Sequence, residues 1–199
     1  MNGMSAGLPV FTCDLDGVLC RPPLGLNLGI GRRLEKHPPE ETAPPLEFRG
    51  VNRLIWLTVE WLRYAGRRSM PDAREGLAAI ARHRKVILVS GRKELARPGV
   101  ERWLRRHGLR DYIAEVRLNN TRLSTARFKL LAARQVGARE HCDDDGPTAI
   151  YLAQNGIPRV YLRRWLMNRG LPYPPNVVVV RSLLEVADDL ARLAAAADS

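Results

Sequence analysis

The sequence predicts an α/β protein, a Rossmann-like three-layer α/β/α arrangement with a parallel sheet and a small helical or loop insert after the first strand. Three observations carry that prediction. Short apolar runs, several of them β-branched, alternate with amphipathic stretches along the 199 residues, as a parallel sheet covered on both faces requires. Glycine or proline punctuates most boundaries. Only the interval from about residue 20 to 70 is out of step with the alternation, so residues 1–199 read as one domain carrying one insert.

The first run, residues 8–14, leads into Cys13-Asp14-Leu15-Asp16-Gly17. A buried strand here delivers two carboxylates to the mouth of a sheet, and the glycine lets the chain turn away. Such neighbours repel unless a shared proton or a cation relieves them, and a hard divalent cation is the simplest relief. Residues 20–45 hold Pro22-Pro23, Pro38-Pro39 and Pro44-Pro45 and predict a loop or part of a lid. Val51, Leu54, Ile55, Trp61 and Leu62 recur at near-helical spacing and predict an amphipathic helix over 51–64. Its Trp56 and Trp61 are expected to pack on the domain; the alternatives are that one faces a substrate or partner, or that the two build a dimer contact.

Pro71-Asp72 opens the next helix, with Asp72 as its expected cap and Glu75 three residues on. Val86 to Val89 is a continuous apolar run, expected as a buried strand, and Ser90-Gly91-Arg92 follows it directly. The pattern then predicts a helix over 99–107, a strand over 112–118, a helix over 124–136, a strand over 140–142 and a helix over 148–155. Strands over 159–162 and 177–180 follow, and Ser182-Leu183-Leu184-Glu185 reads as a capping box for a last helix.

Composition narrows the function classes. No apolar run approaches the roughly 18 residues of a membrane span, and residues 1–8 lack the basic start and long apolar region of a signal peptide. A cytoplasmic location is expected. Three cysteines, Cys13, Cys20 and Cys142, show no Cys-x-x-Cys spacing and are expected as buried thiols rather than disulfides or zinc ligands. The net charge of +11 suggests nucleic acid as a possible class of partner, but 28 of the 32 basic residues are arginines scattered along the chain. That is a weak pointer.

The segment ending Asp14-Leu15-Asp16-Gly17-Val18 resembles the first signature of the haloacid dehalogenase (HAD) superfamily, and later segments resemble its other signatures in order. The likeness spans about residues 8–163. It implies a phosphatase, a phosphomonoester hydrolase acting through an aspartyl-phosphate on Asp14. Asp16 is then the acid and base, and Ser90, Gly91 and Arg92 bind phosphate. Lys129 is the charge-offsetting lysine, although Leu130 stands where the family often has proline and Arg127 is an alternative cation. The run Asp143-Asp144-Asp145 supplies the last acidic pair; its downstream text favours Asp144 and Asp145, with the register open by one. Asp14, Asp16, Asp144 and Asp145 are thereby the expected Mg2+ ligands.

Second-order likenesses refine the expectation. Ser90-Gly91-Arg92 with Trp103-Leu104, Gly108-Leu109, Arg117-Leu118 and Phe128-Lys129 resembles the 3'-phosphatase domain of polynucleotide kinases, which implies a nucleotide or nucleic-acid end as the phosphate's carrier. No kinase P-loop motif accompanies it. A small phosphorylated molecule is the expected substrate. A phosphomutase, and a non-catalytic module binding nucleic acid or an acidic partner, are the competing readings.

Overall fold

The computed structural model describes residues 7–22, 55, 57, 58 and 66–197. Six strands form one parallel sheet: β1 (Val10–Cys13), β2 (Lys85–Lys93), β3 (Glu115–Asn119), β4 (Ala138–Asp143), β5 (Arg159–Arg163) and β6 (Val177–Val180), in the order β3-β2-β1-β4-β5-β6. Among the described residues the helices that connect or follow them are α1 (Ala73–Ile80), α2 (Arg97–Arg106), α3 (Thr125–Gln135), α4 (Gly146–Gln154) and α5 (Leu183–Ala197).

The apolar runs are continuous because both faces of the sheet are covered. Along β2, Val86 and Leu88 join a core with Leu77 and Ile80 of α1, Val100 and Leu104 of α2, and Val186 and Leu190 of α5. Ile87 and Val89 turn the other way, onto Phe128 and Ala132 of α3. That alternation is the period-two geometry of a strand, repeated at the centre of the molecule. Leu152 and Ala149 of α4 cover the same side as α3, against Val160 and Leu162 of β5.

The chain starts at the sheet's centre, builds outward through β2 and β3, then returns to build the other half from β4. The strand order therefore reverses between β1 and β4, where the carboxyl ends of the strands leave a crevice. Asp14 follows β1 and Asp143 ends β4, so that reversal brings together residues far apart in sequence.

Several boundaries differ from the expectation. Asp72 stands at the start of α1 but makes no side-chain cap there. Its Oδ2 instead accepts from the N–H of Leu183, 2.6 Å away at the start of α5, and its Oδ1 accepts from Arg163 Nη2 at 2.7 Å. The expected strand over 112–118 opens as a 3-10 turn, Arg110–Tyr112, and the strand proper is β3. Only Ile55, Leu57 and Thr58 of the helix expected over 51–64 are among the described residues, all three helical; Trp56 and Trp61 lie outside them.

The described residues flanking the interval lie side by side. Cys20 bridges antiparallel to Ser69, the Arg21 N–H donates to Arg68 O at 2.9 Å, and the Met70 N–H donates to Leu19 O at 2.8 Å. All three cysteines are buried and unpaired by disulfide. Among the described residues no helix is long and apolar enough to cross a membrane.

Candidate active site

β1 carries Asp14 into the crevice, and the backbone N–H of Asp14 donates to Cys142 O at 2.9 Å, fixing the strand end to β4. α3 brings Lys129 across the same opening. Its ammonium, 2% exposed, lies 3.0 Å from Asp14 Oδ2 and 2.8 Å from Asp143 Oδ2. Burial alone would lower Lys129, but Asp14 and Asp143 outweigh it and hold the ammonium charged. The placement of α3 depends on Gly91: a Cβ there would come within 2.4 Å of Thr125 Oγ1 in the first turn of α3.

The triple-aspartate run meets Asp14 directly. One oxygen from each of Asp14, Asp143 and Asp144 lies within 4.8 Å of the others, and all three residues are buried. Their roles divide by what each already touches. Asp143 accepts four hydrogen bonds: Oδ1 from the N–H groups of Asp144 and Asp145, Oδ2 from Lys129 and His141. That uses the accepting capacity of a carboxylate. Burial would raise Asp143, yet Lys129 and His141 hold it well below the usual carboxylate range.

Asp144 lies against the turn after β1. Gly17, at φ +74°, leaves the room: a Cβ there would sit 1.7 Å from Asp144 Oδ2. Only glycine meets both demands, a left-handed backbone and no side chain. Asn168 braces the run by donating to Asp144 O at 2.9 Å. Asp145 turns away instead, its Oδ2 accepting from the N–H and hydroxyl of Thr148 at 3.1 and 2.6 Å as the cap of α4. The acidic cluster thus contains Asp143 and Asp144, one register earlier than the expected Asp144 and Asp145.

Asp16 also stands apart from the cluster. Its Oδ1 is 2.5 Å from Arg67 Nη1, and its Oδ2 accepts from Arg92 Nε at 2.7 Å and Nη2 at 2.6 Å. Burial would raise Asp16, but the two guanidiniums outweigh it and hold the carboxyl below its ordinary value. Ser90, 2% exposed, lies beside Leu118 at the end of β2. Lys129 therefore meets Asp14 at the strand end, Arg92 meets Asp16, and Ser90 and Gly91 lie on the neighbouring strand β2.

Three contributors were not foreseen. His141, fully buried, places Nε2 at 2.9 Å from Asp143 Oδ2 and Nδ1 at 2.8 Å from Thr12 Oγ1. Burial lowers its pKa, against the pull of Asp143, and keeps the ring neutral. Spacing held the signal: Thr12 and His141 each precede a site aspartate by two residues, hence share its face of the strand. Arg67 gave none, since it reaches the site from the return of the insert.

Three buried carboxylates crowd the centre around the Lys129 ammonium. Asp14 Oδ1 is buried with no hydrogen-bond partner. Burial, joined by Asp143 and Asp16 and opposed by Lys129, pushes the Asp14 carboxyl up to about 7. An all-oxygen donor set with an orphaned carboxylate oxygen fits a hard divalent ion, which Asp14, Asp143 and Asp144 could hold between them.

No family model and no curated protein matches the sequence. Solved structures match through the fold. A haloacid dehalogenase-like hydrolase from Streptococcus pneumoniae superposes with a TM-score of 0.60 at 14% identity, over 92% of this chain and 99% of that one. The fold is haloacid dehalogenase-like. A HAD-like hydrolase from Xanthomonas campestris is similar at a TM-score of 0.57 and 16% identity, over 96% and 98% of the two chains. CbbY from Rhodobacter sphaeroides, solved in complex with phosphate, is similar at 0.59 and 12%, over 90% and 96%. In this HAD-like fold the acidic cluster sits at the strand reversal, where open parallel sheets carry their ligands.

Proposed function

We propose that the protein is a Mg2+-dependent phosphatase that hydrolyses phosphomonoesters through an aspartyl-phosphate on Asp14. The observation that carries this reading is the pairing of Asp14 Oδ2 with Lys129 while Oδ1 of the same carboxylate is buried without a partner. One oxygen is oriented by a cation and the other is withheld from water.

Each step falls to a named group. An Asp14 oxygen forms a bond to phosphorus as the ester P–O bond breaks. Asp16, ionised while Arg67 and Arg92 hold it, takes up a proton from solvent once a guanidinium releases it and gives that proton to the departing alkoxide. Water then attacks phosphorus, passing a proton to Asp16 as the P–O bond to Asp14 breaks and the carboxylate is regenerated. Lys129 offsets charge between nucleophile and phosphoryl group, and the Ser90 hydroxyl, the backbone at Gly91 and Arg92 bind its oxygens. Asp143 holds Lys129 in place, and His141 holds Asp143. Mg2+ held between Asp14, Asp143 and Asp144 would supply the positive charge that lets two anions approach.

The test is a panel of phosphate esters, including nucleotides and 3'-phosphorylated DNA, assayed with Mg2+ and with chelator. Turnover that requires Mg2+ and disappears in Asp14→Asn, in a protein that remains folded, is the expected result. Turnover retained by Asp14→Asn contradicts the assignment.

A further inference from the structure

The contacts of Asp16 single out a second anion site. Arg67 and Arg92 have side chains only 9% exposed, and each takes one oxygen of the same carboxylate. Arg67 is not loosely placed. Its Nε and Nη2 donate to Arg21 O at 3.2 and 3.0 Å, which aims Nη1 at Asp16. Its own carbonyl accepts from Trp103 Nε1 at 3.0 Å, so the buried Trp103 of α2 anchors the backbone behind it. Two oriented guanidiniums therefore present a fork for one anionic group, and in this structure the chain's own Asp16 fills it.

That position matters for the proposed chemistry. Asp16 stands two residues beyond the nucleophile and in the proposed reaction is the group that protonates the leaving oxygen. Both of its oxygens are held by cations, so it reaches a leaving group only when a guanidinium gives way. A substrate whose alcohol portion carries another phosphate supplies what the guanidinium would move to.

We infer that Arg67, released from Asp16 as Arg92 turns to the transferred phosphoryl group, forms a subsite for a second phosphate on the leaving-group side of the substrate, and that Asp16 occupies it until such a substrate arrives. The inference rests on the phosphatase reading for its choice of substrate: a phosphomonoester of an alcohol bearing a neighbouring phosphate or phosphodiester. A small ester with a single phosphate draws Arg67 off Asp16 less readily and turns over more slowly.

The test separates binding from turnover. On the Asp14→Asn background with Mg2+, calorimetry compares thymidine 3'-phosphate, thymidine 3',5'-bisphosphate and a thymidine dinucleotide carrying a 3'-phosphate. The doubly anionic probes should bind about tenfold or more tightly, as expected for one charge-assisted pair. Arg67→Gln should bring that ratio close to unity, and Arg67→Lys should keep part of it. The free bisphosphate outbinding the dinucleotide assigns the subsite to a terminal phosphate; the reverse assigns it to a phosphodiester. Equal affinity for singly and doubly anionic probes, or a ratio untouched by Arg67→Gln in a protein that melts normally, overturns the subsite. Separately, Mg2+-dependent hydrolysis of an aryl phosphate by the unsubstituted protein and not by Asp14→Asn tests the phosphatase reading alone.

Discussion

At the scale of single residues, the centre is governed by burial without water. Among the described residues Lys129 is the cation paired with both Asp14 and Asp143, so removing it leaves buried carboxylates without that compensation. Lys129→Met should destabilise the protein by about 3–5 kcal/mol, measured by urea unfolding at pH 8. Gly17→Ala combines a left-handed backbone with an overlap onto Asp144. It should cost about 1–3 kcal/mol from the backbone alone and weaken Mg2+ binding, read as a smaller rise in melting temperature on adding the ion. Asp14 gives a pH signature in the metal-free protein. Its folded pKa, about 7, exceeds the ordinary 3.8, so its contribution to stability is present in acid and is lost as pH rises through 7. His141 acts in the opposite sense because burial lowers it. The difference between wild type and Asp14→Asn cancels that: the substitution should stabilise the metal-free protein more at pH 8 than at pH 5.

At the scale of elements, what sequence could reveal depended on whether a residue acts within its own segment. The run at Val86 to Val89 was legible because a strand buried on both faces must be apolar throughout, whereas Val177 to Val180 was legible from its β-branched composition alone, since Val179 on this edge strand is exposed. Gly137 and Gly156, at φ +65° and +94°, were legible stops for α3 and α4. Asp72 was misread because local spacing makes it a cap for α1, whereas tertiary structure spends its carboxylate on α5 and Arg163. Arg163 is 7% exposed on its side chain, so Asp72→Ala should cost about 3 kcal/mol with an unchanged denaturant slope, more than a surface cap would. The acidic run shows the same limit. Sequence supplies three aspartates in a row, and only the backbone after β4 decides that Asp145 caps α4 while Asp143 and Asp144 face Asp14.

At the scale of the whole molecule, one strand reversal creates the site. Asp14 and Asp143 are separated by most of the chain, yet β1 and β4 are neighbours and carry both to the same crevice. The order of the sequence signatures made that convergence legible in advance, because a parallel sheet sends every strand's carboxyl end to one edge. Arg67 was not legible, since nothing local says that the chain returns from residue 66 beside Cys20 and Arg21. The overall charge of +11 gave the least information: Arg84, Arg163, Arg67 and Arg92 are spent internally, on Glu140, Asp72 and Asp16.

The central claim is that Asp14 carries the phosphoryl group. Protein mixed with an aryl phosphate and Mg2+, quenched in acid within the first turnovers and digested for mass spectrometry, reads it directly. A phosphoryl adduct on the peptide containing Asp14, absent when a chelator replaces Mg2+, is the predicted result. Hydrolysis that proceeds with the adduct on another residue, or that persists undiminished in Asp14→Asn, would contradict it.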